Sequence, residues 1–382
     1  MRIVFVEPAG RMLGGAERSL SALSCGLVAR GHRVMVVTRP DADAVEMFEA
    51  AGTEVEFAAS LADIAGGTRH GAAGKFVLQA ATAAPRVWRA ASDIAKFAKR
   101  FQADVVHSNG FRTHVIAPAL RSHRLRLSWS LRDFAPHPMQ RKILQVASNA
   151  VDLVLANSQF TAQQIPERHR RVRVVGNPIV LRQLPNRGDA RRQLGLDEHA
   201  KIVAVLGHLH PSKGQHIAVE AIRALRTDSK YSDAMLLVVG AAAYGDESQR
   251  YESELRQQGC VGVRFLGGVL DVESVYAAAD LVVQPSIHPE GFGRTVVEAQ
   301  MAGVPVVATA IGGACELIEH NSDGLLIAPD DPQELTHAMA RILGNADLRK
   351  NLVASGSISG NRFTACAHVD AVEKALKELE NL

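Results

Sequence analysis

The chain has 382 residues, too many for one ordinary hydrophobic core, so two domains are expected. Hydrophobic residues make up 47% and charged residues 22%, a globular balance that excludes a disordered chain. The net charge of +3, with no dense Lys/Arg block, argues against a nucleic-acid partner.

The start, "MRIVFVEPAGRMLGG", reads as a short strand running into a glycine turn. It lacks the apolar region and cleavage site of a signal peptide. No stretch approaches the ~18–20 apolar residues of a spanning helix. A soluble cytoplasmic protein is therefore expected, with the inner face of the cytoplasmic membrane as a further location. Next comes "AERSLSALSCGLVARG", apolar at helical spacing and ended by Gly31, then the strands "HRVMVVTRP" and "EVEFA".

The segment Gly74–Phe101 departs from this alternation. Val77, Ala81, Ala84, Trp88, Ala91, Ile94 or Ala95, and Ala98 recur at helical spacing, and Pro85 interrupts them, which predicts a helical pair. Lys75, Arg86, Arg89, Lys96, Lys99 and Arg100 make it basic. Two readings stand: a contact with an anionic membrane or lipid-linked acceptor, and an amphipathic helix packed on a sheet with a solvated basic face.

Strands follow at "ADVVHS", "LSWSLRD", "DLVLANS" and "VRVVGNP", closing an N-terminal domain over residues 1–180. Residues 181–200 carry charge, one proline and no long apolar run and read as an interdomain linker. The alternation then restarts over 201–362 with "KIVAVLGHLH", "AMLLVVGAAA", "VRFLGGV", "DLVVQPS", "VPVVATA" and "GLLIAPD". A last helix, within 363–382, has no strand to follow and is expected to pack back on the first domain. The fold class is α/β, with two Rossmann-like, doubly wound parallel-sheet domains facing a cleft.

The cysteines, Cys25, Cys260, Cys315 and Cys366, show no metal-ligand or redox spacing and read as small buried side chains. "DAD" at Asp41–Asp43 mimics a manganese motif but sits in a proline-led loop, and no metal is expected there.

The richest stretch is "HPEGFGRTVVEAQMAGVPVVAT", from His288 to Thr309. It follows a strand and runs into a helix from about Arg294. Helix N-termini attract phosphate, and Gly291 and Gly293 let the backbone come close. Carboxylates accept hydrogen bonds from hydroxyls, so Glu290 suits a sugar and Glu298 a ribose. On spacing alone, a helix-cap acid plus a solvated acid fits equally well.

"PEGFGRTVVEAQMAGVPVVATAIGGACELI" resembles the signature of the retaining, two-Rossmann (GT-B) glycosyltransferases. The resemblance is to the large bacterial glycogen-synthase-like and mannosyltransferase-like family, family 4 in type. "GGAERSL" (Gly14–Leu20), "GHLHPSKG" (Gly207–Gly214), "VRFLGGVLDVESVYAAADLVVQPS" and "DGLLIAPDD" extend it over the whole chain in order. The motifs are specific for the family and say little about the substrate.

The resemblance implies that Lys213 neutralises the donor pyrophosphate, Glu290 contacts the transferred sugar and Glu298 the ribose. Gly14 and Gly15 would close over the donor. Gly291, Phe292, Gly293, Arg294 and Thr295 would form the turn that grips the phosphates. Two positions depart from the pattern. His208 stands where an arginine is usual, which shifts leaving-group stabilisation toward Lys213 and Arg294. Arg132-Asp133 stands where His-Asp is common, and Arg132 suits an anionic sugar or an acceptor phosphate. His107 and Asn109, at a first-domain strand end, are candidates for the acceptor side.

The implied reaction is retaining, metal-independent transfer from a UDP- or GDP-sugar to a hydroxyl of a glycan or lipid-linked acceptor, in cell-envelope or polysaccharide synthesis. The acceptor attacks from the leaving-group face. The nucleotide sugar is a substrate, and no cofactor is expected. The alternatives are a sugar-nucleotide epimerase or hydrolase of the same architecture, and a non-catalytic nucleotide-sugar-binding protein. A dinucleotide oxidoreductase is disfavoured because "GRMLGG" lacks the G-x-G-x-x-G spacing.

Overall fold

The structure, a computed structural model, describes residues 1–8, 15–64, 73–135, 137–169, 171–242, 245–259, 261–269 and 271–380, with backbone alone at 73–83 and 112. The chain divides into two compact units, Met1–Pro178 with Thr364–Leu382, and Ile179–Phe363.

In the first unit the apolar, β-branched runs form β1 (Arg2–Val6), β2 (Arg33–Thr38), β3 (Glu54–Phe57), β4 (Val105–Ser108), β5 (Leu127–Leu131), β6 (Leu153–Ala156) and β7 (Val172–Val174). Their order is β3-β2-β1-β4-β5-β6-β7, with every pairing parallel. β1, β4, β5 and β6 are buried almost throughout, as a sheet covered on both faces requires. One face packs on the helices Gly15–Ala29 and Ala365–Lys377 through Leu20, Leu23, Leu27, Val369, Val372 and Leu376. The other packs on Ala73–Phe101 and Pro138–Ser148 through Ala91, Ile94, Ala98 and Leu144.

The C-terminal helix is therefore part of the first unit. It is fixed to Gly15–Ala29 and the turn after it, where Glu373 takes Arg30 at 2.7 Å and His32 at 3.1 Å. Lys377, Arg30 and His32 hold the Glu373 carboxyl down to about 2.

In the second unit the strands are β8 (Ile202–Leu206), β9 (Met235–Val239), β10 (Val263–Gly267), β11 (Leu281–Gln284), β12 (Val306–Thr309) and β13 (Leu325–Ile327). They form a parallel sheet in the order β10-β9-β8-β11-β12-β13. Two clusters fill its faces, one with Ile217, Ile222, Leu335 and Met339, the other with Val275, Tyr276, Val296 and Val297.

Three expectations are corrected. Residues 181–200 are not a free linker. Asn186 caps a helix at Arg187–Gln193 by accepting from Asp189 N at 2.8 Å. Arg191, 2% exposed, donates to the carbonyls of Ala278 and Ala200 and pairs with Asp280 at 2.9 Å. The charge-rich composition concealed an arginine whose donors are satisfied inside the second unit. Second, Ala73–Phe101 is one helix and not a pair. Pro85 lies on the exposed side, where the carbonyl it leaves unpaired can meet water. Trp88, read as part of the apolar stripe, is 52% exposed. Third, Cys25, Cys315 and Cys366 are exposed and unbridged, while Cys260 lies outside the described residues. No helix among the described residues is long and apolar enough to cross a membrane.

Candidate functional site

In each sheet the strand order reverses once, between β1 and β4 and between β8 and β11. The carboxyl ends of the strands at such a point splay apart and leave a crevice. In the second unit this crevice gathers the motif residues.

After β8 the chain passes His208 and makes a single 3₁₀ turn, Pro211–Lys213. His210 caps that turn by accepting from Ser212 N at 3.2 Å. Gln215 Nε2 donates to the His208 carbonyl at 3.0 Å and folds the loop back. Gly214 has φ +67°, and a Cβ there would stand 1.8 Å from the Pro285 carbonyl oxygen. Only glycine fits that contact, and it brings the loop after β8 against the loop after β11. Ile287 N donates to Ser212 O at 2.9 Å across the same seam.

The result is a salt bridge between Lys213 Nζ and Glu290 Oε2 at 2.7 Å, each side chain 22% exposed. The other carboxylate oxygen, Oε1, accepts from Ser286 Oγ and from Gln284 Nε2, the latter at 3.4 Å. Burial pushes the Glu290 carboxyl up, but the Lys213 ammonium, the Ser286 hydroxyl and nearby His208 outweigh it and hold it below the usual range. Glu290 is thus held as a carboxylate beside the Lys213 ammonium.

The following helix, Arg294–Met301, begins at Gly293, whose φ is +107°. Its first-turn amides have no i−4 acceptor within the helix. Phe292 is corrected in part. Its ring is buried against Phe363, with centroids 5.2 Å apart, so it offers the site backbone only. Thr295 is half-buried in the first turn. Glu298 Oε2 accepts from Tyr276 Oη at 2.7 Å, and Oε1 accepts from Arg294 Nη2 at 3.2 Å. Burial and the Glu298 carboxylate push the Tyr276 hydroxyl well above its ordinary value. Arg294 is thus engaged with Glu298, one turn along its own helix.

The first unit is different. Gly14 lies outside the described residues, and Gly15 is the exposed first residue of its helix. His107 is corrected: it is a core residue. Its ring is fully buried between Ser128 Oγ and Ser130 Oγ, at 2.8 Å each. Burial, with Arg132 nearby, lowers its pKa well below the ordinary value. Beside it His114 bonds Ser108 Oγ at 2.7 Å and stacks on Trp129 with centroids 4.5 Å apart. Asn109, at the end of β4, is buried and donates to the Glu7 carboxylate at the end of β1. Asn109 and Arg132 share the wall of one concavity with His114, Ser130 and Asp133. Arg132 Nη1 also donates to Ala16 O at 3.1 Å. Asp41, from the manganese-like run, is bound by Arg39 at 2.7 Å.

Ser286, Gln284, Tyr276 and Glu7 were missed in the sequence. The available signal was a polar pair, Gln284 and Ser286, at the carboxyl end of an otherwise apolar strand.

Two family models match. "Glycosyltransferase Family 4" covers residues 13–183 and "Glycosyl transferases group 1" covers 186–357. The D-inositol 3-phosphate glycosyltransferase of Salinispora arenicola is 33% identical over 252 residues, which is 60% of this chain and 55% of that protein. The counterpart in Actinosynnema mirum is 35% identical over 240 residues, 58% of this chain and 56% of that one. The chain spans about half the length of the curated relatives it matches. Among solved structures, Anabaena HepE in complex with UDP has a TM-score of 0.81 at 26% identity, covering 99% of this chain and 100% of that chain. The same protein with UDP-glucose gives a TM-score of 0.79 at 27% identity, covering 100% of each chain. Two models that tile the chain, and a full-length structural match above a quarter identity, converge on one assignment: the chain belongs to the GT-B glycosyltransferases of the family 4 type.

Proposed function

We propose that the protein transfers a sugar from a nucleoside diphosphate sugar to a hydroxyl of a glycan, polyol or lipid-linked acceptor, with retention and without a bound metal. The observation that carries this is the Lys213–Glu290 pair in the β8/β11 crevice, next to a helix N-terminus. Lys213 and the first-turn amides of Arg294 and Thr295 suit a diphosphate whose charge grows as the glycosidic bond breaks. Glu290 takes hydroxyls of the transferred sugar, and Glu298 takes the ribose. UDP is the favoured nucleotide, supported by the UDP and UDP-glucose complexes of HepE. The first unit takes the acceptor, with Asn109 and Arg132 on its concavity, and Arg132 gives preference to an acceptor carrying phosphate. The acceptor hydroxyl attacks on the leaving-group face, and a diphosphate oxygen takes its proton.

The test is mass spectrometry of products from UDP- and GDP-sugars, offered with phosphorylated polyols and with a lipid extract. Transfer from a UDP-sugar, unaffected by chelator, is expected. Free sugar or an isomerised donor without acceptor would point to the hydrolase or epimerase reading. Thermal shift sorts the nucleotide separately, because a ligand at 100 times its Kd stabilises by about 2.7 kcal/mol. Stabilisation by UDP with no turnover of any donor would leave a binding protein.

A further inference from the structure

The two oxygens of Glu290 are served from different directions. Oε2 faces Lys213, and Oε1 faces Ser286 and Gln284. Ser286 is 1% exposed and anchored in turn, since Thr309 Oγ1, at the end of β12, donates to its carbonyl at 2.7 Å. The next residue, Ile287, is tied to Ser212, so the backbone that carries Ser286 is held on both sides. Lys213, by contrast, is a long side chain on a surface turn and is free to re-aim.

We propose that Ser286 is a positioning residue. By binding Oε1 it fixes the Glu290 carboxylate while Lys213 leaves Oε2 for the donor diphosphate. This rests on the transfer reaction proposed above. Without the Oε1 anchor, loss of the lysine would free the carboxylate to rotate away from the sugar. With it, the acid keeps its place and its charge, and binding energy moves Lys213 alone. The charged or titratable groups acting on Glu290 are Lys213 and His208. With Lys213 drawn to phosphate, the Ser286 hydroxyl and His208 become the main groups that keep Glu290 ionised.

The test compares wild type with Ser286→Ala in steady-state transfer from the UDP-sugar that wild type uses, across pH. A displaced or mobile reacting group costs up to about 100-fold. The expected result is a kcat lower by about 10- to 100-fold, with donor KM and UDP-induced thermal stabilisation held within about twofold. The acid limb of the kcat profile should move to higher pH, because Glu290 loses a donor to its charged form. A purely structural loss would lower UDP stabilisation and leave the acid limb in place, and that outcome overturns the assignment. Gln284→Met gives a second arm if the alanine variant fails to fold. It removes the other donor to Oε1 and keeps the volume, and Gln284 Oε1 is buried without a partner among the described residues, so no other bond to them is lost. The same changes, smaller, are expected. Unchanged kcat and acid limb in the variants of an active wild type overturn the role of Ser286 alone. If wild type transfers no sugar from any donor, the proposed function fails first and the role of Ser286 falls with it.

Discussion

The two parallel sheets reverse their strand order in the same way but equip the crevice differently. In the second unit, charge sits at the rim: Lys213 and Glu290 are paired yet each is 22% exposed. In the first unit a set of neutral polar groups around β4 and β5, His107, His114, Ser108, Ser128 and Ser130, is sunk in the core, and the Glu7 carboxylate beside them is buried against Asn109. A charge at the rim can exchange its partner for a ligand at modest cost, because water covers the change. A buried neutral network cannot, since each orphaned group would cost about 1–3 kcal/mol. The second crevice is built to change partners, and the first holds a frame on which Asn109 and Arg132 are presented.

The largest effect should come from removing the mobile charge. Lys213→Ala is expected to lower transfer by about 10²–10³-fold, or ~2.7–4 kcal/mol, the range for losing one group that meets developing charge. Arg132→Ala should leave donor KM in place and raise only acceptor KM. Steady-state kinetics in both substrates decides it. If the two variants affect the same substrate, the division of labour between the units is broken.

Next in size is the seam beneath that charge. Gly214→Ala forces a Cβ into the Pro285 carbonyl at a left-handed φ. It should cost the second unit about 2–4 kcal/mol. Calorimetry should show a lowered melting temperature together with weaker UDP stabilisation. An unchanged melting temperature would mean that the two loops do not touch.

The smallest effect sharpens the contrast from the first unit's side. Burial outweighs the Ser130 carbonyl and, with Arg132, brings the His114 pKa down to about 3, from 6.5. Unfolding therefore takes up a proton as pH falls below 6.5. Stability drops through the window from 6.5 down to 3, at about 1.4 kcal/mol per pH unit. His114→Gln should lose correspondingly less between pH 6.5 and 5 in urea unfolding, whatever its stability at neutral pH. Equal acid loss in variant and wild type would show that His114 takes a proton while folded.

Much of this was legible in the sequence, for reasons that also mark the limit. The parallel sheets announced themselves because strands covered on both faces read as apolar runs, and Arg294 marked its helix start because glycines precede it. Lys213 and Glu290 were named from the family resemblance, because spacing alone fits a solvated lysine and a helix-cap acid equally well; the structure places the two side chains together. Ser286, Gln284 and Tyr276 were not: Tyr276 acts through Glu298 on another segment, and Ser286 and Gln284, though only four and six residues before Glu290, look like strand-end fillers until the loop folds back on them. His107 misled for the opposite reason. A strand-end histidine looks like a ligand until the two serines of the neighbouring strand enclose it. The helix at Arg187–Gln193 was hidden by composition, which counts an arginine as exposed before its acceptors are known.

The return of the chain to the first unit at Thr364 has a consequence in time. During synthesis, Leu20, Leu23 and Leu27 are made early, but their cover of Val369, Val372 and Leu376 comes last. The whole second unit is translated in between, about ten to forty seconds at ordinary ribosome speed. The later-encoded unit can thus finish folding while the earlier one still exposes an apolar face. In the cell, the window for aggregation or chaperone capture belongs to the half of the protein that was made first.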